Sequence, residues 1–94
     1  MNLWRELPTG PDWPNVIYVV VEIPRGSRNK YEYDREAGFM TLDRVLFSSL
    51  HYPGDYGFIP RTLRANGDPL AVLMMSNEPT FSGCVIAARP LGVF

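Results

Sequence analysis

Glu22, Lys30, Glu32, Arg44, Tyr52, Tyr56 and Asp68 are the side chains of this 94-residue sequence whose types, taken together, suit work on a phosphorylated substrate. Cations offset the negative charge that spreads over phosphoryl oxygens in the transition state, and a carboxylate orients the attacking water. Asp68 is the most suggestive, because Asn66-Gly67-Asp68-Pro69-Leu70-Ala71-Val72 joins a turn signal to an acidic residue, a rigid proline and an apolar run. Spacing alone leaves simpler readings open. Alternating Lys30 and Glu32 also describes the outer face of a strand with weak ion pairs. Arg44 beside Asp43 equally suits a surface, Tyr52 and Tyr56 suit core aromatics with a hydroxyl partner, and Asn66-Gly67-Asp68 can be simply a turn. His51 is the sole histidine and has no Cys or His partner at zinc-ligand spacing. The sequence holds no Gly-rich phosphate loop opening a helix, no nucleophilic triad and no aromatic platform for nucleic acid.

The elements that must position these groups are strands. Val16 to Ile23 is a β-branched and aromatic run that predicts a strand buried on both faces, interrupted by Glu22, whose carboxylate must be paired or solvated at a rim. Tyr31 to Asp34 and Met40 to Val45 predict a hairpin around the Arg35 to Gly38 turn, with Lys30, Glu32 and Asp34 on one face. His51 to Pro60 is dense in Gly, Pro and aromatics and predicts a fixed functional loop, with a short strand at Tyr56 to Ile59. Leu70 to Met75 and Cys84 to Phe94 are further strands, the last broken at Pro90. Helical periodicity is confined to Leu3 to Leu7, and Trp4 and Trp13 are expected to cover the core. Many short strands with Gly/Pro turns imply a mainly β fold, a small barrel or sandwich. The apolar end at Val93-Phe94 is expected to leave an open edge that favours self-association.

Composition narrows the function classes. A formal net charge of -1 gives no whole-domain field to attract nucleic acid or anionic lipid. Hydrophobic residues at 46% and aromatics at 13% are enough for a packed core. The single cysteine, Cys84, excludes an internal disulfide and is expected to be a small buried hydrophobe in a reducing compartment. The longest apolar run, Val16 to Val21, is far too short to cross a membrane, and the N-terminus lacks the apolar stretch of a signal peptide, so a cytoplasmic location is expected.

The chain resembles the soluble family I inorganic pyrophosphatases. The likeness is carried by Val19-Val20-Val21-Glu22-Ile23-Pro24-Arg25-Gly26-Ser27, Asn29-Lys30-Tyr31-Glu32-Tyr33-Asp34, Leu42-Asp43-Arg44-Val45-Leu46, His51-Tyr52-Pro53-Gly54-Asp55-Tyr56-Gly57-Phe58-Ile59-Pro60 and Gly67-Asp68-Pro69-Leu70. The resemblance implies an OB-like β-barrel flanked by helices, assembly into homo-oligomers, and Mg²⁺-dependent hydrolysis of pyrophosphate to two phosphates. It implies that Lys30, Arg44 and Tyr56 bind substrate phosphate, that Glu22 and Glu32 belong to the outer metal and water network, that Tyr52 adds a hydroxyl, and that Asp68 helps deprotonate the attacking water. The family signature in this loop is Asp-x-Asp-Pro-x-Asp. Here its outer, metal-ligating aspartates are replaced by Asn66 and Ala71. An asparagine offers a neutral carbonyl oxygen and an alanine offers nothing to a hard cation. The family places further metal ligands and C-terminal helices beyond the matched region, so residues 1–94 are expected to form one truncated barrel domain, the N-terminal half of the family fold. The resulting expectation is hydrolysis that is absent or severely impaired, with weakened Mg²⁺ binding. The alternative is a non-catalytic barrel that binds phosphate or self-assembles.

Overall fold

β-branched residues crowd the first long strand, and everything else is arranged against it. The computed structural model describes residues 1–27, 29–45, 54–65, 67–75 and 80–90, with the side chain of Arg44 outside this set. Six strands follow in chain order: β1 (Ile17–Ile23), β2 (Asn29–Asp34), β3 (Phe39–Val45), β4 (Asp55–Phe58), β5 (Ala71–Met74) and β6 (Val85–Ala88). β1 is central. It pairs antiparallel with β4 on one side and β6 on the other, β5 adds to β4, and the sheet runs β5-β4-β1-β6. β2 and β3 form a separate antiparallel hairpin.

This corrects the expected OB-like β-barrel. The fold is all-β, but among the described residues it consists of two sheets, and neither closes on itself. Among these residues the end strands β5 and β6 pair neither with each other nor with the hairpin, so no barrel seam forms, and both hydrogen-bonding edges of the internal β1 are taken by β4 and β6. The hairpin can reach β1 only through side chains, so it stacks on the sheet instead of extending it.

Val19, Val20, Val21 and Ile23 have no solvent exposure, as expected for a strand covered on both faces. Val19 packs with Ile17 and Ile59 on one face. Val20 packs with Tyr33 and Phe58 on the other, where Leu3, Trp4, Leu7 and Met40 complete the cluster. The Tyr33 and Phe58 rings lie 5.4 Å apart, tilted by 40°. The N-terminal segment clamps this face. The Leu3 N–H donates to the Tyr33 hydroxyl at 2.7 Å, the Trp4 indole to the Thr62 carbonyl at 3.1 Å, and the Arg61 N–H to the Trp4 carbonyl at 2.8 Å. Trp4 is thus a core lid. Trp13 is not, since it is 49% exposed. Cys84, just before β6, is half-buried and not fully enclosed. Leu3 to Leu7 makes only turns, and the Val93-Phe94 edge lies outside the described residues.

Candidate functional site

A cavity of about 280 Å³ lies between the hairpin and the sheet. Its walls include Glu22, Lys30, Glu32, Tyr56, Asp68 and Ala71. Residues from four separate stretches of the sequence therefore meet in one place.

Two β-bulges aim the charged groups. In the β1–β4 ladder Val21 pairs with Gly57 and Ile23 with Tyr56, which makes Glu22 the extra residue. Adjacent strand residues ordinarily point to opposite faces, yet Glu22 and Ile23 both line the cavity. In the hairpin Lys30 pairs with Arg44 and Tyr31 with Leu42, which makes Asp43 the extra residue. Asp43 then stands 3.7 Å from the Lys30 ammonium. Arg44 lies opposite Lys30 in register, and Tyr52 and Asn66 are outside the described residues.

The Glu22 carboxylate accepts a hydrogen bond from the Tyr33 N–H at 2.9 Å, the pairing that a carboxylate in an apolar strand requires. Burial pushes its carboxyl above the ordinary value of 4.5. The Glu32 charge adds to the rise, while the Tyr33 N–H and Lys30 oppose it. A raised carboxyl pKa stabilises the fold at low pH and loses that contribution as pH climbs from 4.5 through the folded value. Glu22→Gln cannot ionise and keeps an oxygen for Tyr33. Urea unfolding from pH 4 to 8 is therefore expected to show the variant gaining on the parent as pH rises. A pH-independent difference would contradict this.

Asp68 sits on a turn closed by the Arg64 N–H to the Asp68 carbonyl at 2.6 Å and the Gly67 N–H to the Arg64 carbonyl at 2.9 Å. Gly67 has φ +87°, a left-handed conformation that favours glycine. The Asp68 side chain is 67% exposed and lies 3.8 Å from the Arg35 guanidinium. Ala71 pairs with Phe58 across the β4–β5 ladder, and both line the cavity.

Residues 19–94 match the family model for inorganic pyrophosphatase. The chain belongs to the inorganic pyrophosphatase family. It is 56% identical over 92 residues to an inorganic pyrophosphatase of Halobacterium salinarum, covering 98% of this chain and 52% of that protein. It is 56% identical over 93 residues to one of Synechocystis sp., covering 99% and 54%. The crystal structure of inorganic pyrophosphatase from Thermus thermophilus superposes with a TM-score of 0.88 at 52% identity, over 95% of this chain and 51% of that one. The chain thus spans about half the length of the curated relatives it matches.

A family metal does not fit the donors among the described residues. Glu22, Glu32 and Asp68 share the cavity, but among the described residues no three His, Cys, Asp or Glu side chains stand together to hold an ion. Position 71 is an alanine, and a guanidinium lies beside Asp68. The magnesium that the resemblance implies is not supported by the described donors, in keeping with the weakened binding expected from Asn66 and Ala71.

Sequence reasoning missed Arg35 and Arg64, which also line the cavity. Arg35 lies in the hairpin turn, where composition suggested only a connection. Its sequence signal is weak, because its role depends on how that turn folds back over Trp4. No helix among the described residues is long and apolar enough to cross a membrane.

Proposed function

We propose that this chain is an inorganic pyrophosphatase homologue that retains phosphate recognition and has lost most or all of the hydrolysis. The observation that carries the proposal is the cavity in which Lys30 and Tyr56 face Glu22, Glu32 and Asp68, with Ala71 in its wall. In this proposal Lys30, Arg44 and Tyr56 bind the phosphoryl oxygens. Glu22, Glu32 and Tyr52 hold the water network, and Asp68 is the remnant of the group that prepares the attacking water. The signature is degenerate at Asn66 and Ala71, which removes two negative charges where the family's chemistry needs them. Positioning and charge neutralisation supply most of the catalysis in phosphoryl transfer, so the loss falls on rate more than on binding. Residues 1–94 act as one unit corresponding to the N-terminal half of the family fold, cytoplasmic and homo-oligomeric.

Phosphate release from pyrophosphate with Mg²⁺ is expected to stay below about 1 s⁻¹, under the usual enzymatic range. Turnover at an ordinary enzymatic rate would overturn the loss of hydrolysis. Calorimetric titration with inorganic phosphate in a chelator is expected to show saturable binding that Arg44→Ala abolishes. Absence of binding, or binding indifferent to that substitution, would overturn phosphate recognition.

A further inference from the structure

Arg35 is fixed more firmly than its place in a hairpin turn suggests. The Asp34 carboxylate caps that turn by accepting from the N–H groups of Glu36 and Ala37 at 3.1 and 2.9 Å, and Gly38 closes it with φ +82°. The Arg35 carbonyl accepts from the Asn2 side-chain amide. Its guanidinium lies over the Trp4 ring, 5.0 Å from the centroid. From there Nη1 donates to the Gly67 carbonyl at 2.8 Å, and Nη2 stands 3.8 Å from the Asp68 carboxylate. Trp4 is itself held by Thr62 and Arg61, so the cation is preorganised before any ligand arrives.

The position matters because Asp68 is the carboxylate that remains in the degenerate loop. A guanidinium already bound to this turn places one diffuse charge beside Asp68 and needs no carboxylate at 66 or 71. A divalent ion approaching the same oxygen meets that charge and cannot displace it without breaking the Gly67 hydrogen bond.

We propose that Arg35 is the resident cation of the Asp68 turn, tying Gly67 and Asp68 to the end of β2 and holding divalent ions off the loop. The proposal rests on assigning this turn to the family's phosphate site, but its test uses no phosphate, so the two fail separately. The pair itself is partly exposed and adds little stability. Its effect falls on a doubly charged competitor, for which repulsion at this range weakens binding by about tenfold.

The test takes the chain carrying Asn66→Asp and Ala71→Asp as parent and titrates Mn²⁺, following the loss of the free-ion electron paramagnetic resonance signal. Adding Arg35→Met is expected to tighten Mn²⁺ binding about tenfold. Arg35→Gln, which keeps a donor for the Gly67 carbonyl, is expected to do the same, and Arg35→Lys to stay within about twofold of the parent. Met and Gln variants that bind no tighter than the parent would overturn the proposal. So would a Lys variant as tight as Met, or no Mn²⁺ uptake by any of the chains.

Discussion

Gly57→Ala is expected to cost the fold about 3 kcal/mol or more, the upper part of the range for overpacked sites. A Cβ at this position would collide with the Val20 carbonyl oxygen, lie 2.9 Å from the Val20 carbonyl carbon and 3.1 Å from the Val19 side chain. The first two obstacles are backbone, so no side chain can turn aside to make room. β4 must lift away from β1, and β1 carries the centre of both apolar clusters. A chain of 94 residues has a thin margin, since small domains are stable by roughly 5–15 kcal/mol. Much of the population would then be unfolded under mild denaturant. Gly67→Ala is the useful contrast. Nothing lies within 4 Å of its added Cβ, and only its positive φ resists, a penalty of about 1 kcal/mol. Urea midpoints would rank parent, Gly67→Ala and Gly57→Ala in that order. A Gly57→Ala midpoint equal to the parent's would show that β1 and β4 are not packed as described.

Asn66→Asp combined with Ala71→Asp is expected to raise Mg²⁺-dependent phosphate release from pyrophosphate at least about tenfold, the scale of roughly 1.4 kcal/mol in the barrier. Ala71 is exposed on β5 opposite Phe58, in the wall of the cavity that also holds Asp68. A carboxylate there stays partly solvated, so its introduction carries little desolvation cost. It would add an oxygen donor to a site that offers Glu22, Glu32 and Asp68, which form no cluster among the described residues. Release measured on parent, single and double variants separates the two positions. A double variant no faster than the parent would show that these charges are not what limits hydrolysis.

The strands were largely legible because apolar runs and alternation report them directly. β1 was expected one residue early, at Val16, and the hairpin slightly short at both strands. The closure of the sheet was not legible. Which edges of a strand find partners depends on contacts far apart in sequence, and here the end strands β5 and β6 pair neither with each other nor with the hairpin among the described residues. In the site, Glu22 stood out as a carboxylate inside an apolar strand, and Lys30 and Glu32 as an alternating pair. Asp68 stood out through its turn and proline. Arg35 did not, because an arginine after an aspartate in a turn resembles any solvated connection until Trp4 and the Gly67 turn are seen on either side of it.

The bulge at Glu22 also makes the site depend on counting. Side chains along a strand alternate like odd and even numbers, and one unpaired residue breaks that parity. Deleting a single residue from β1 would remove the break and send either position 22 or position 23 back to the opposite face. The change in composition would be trivial, and the apolar core would still find valines to fill it. Yet the carboxylate and its neighbour could no longer look into the same cavity. What this site requires of β1 is therefore a length as much as a residue, and a gap of one there would be more damaging than many substitutions around it.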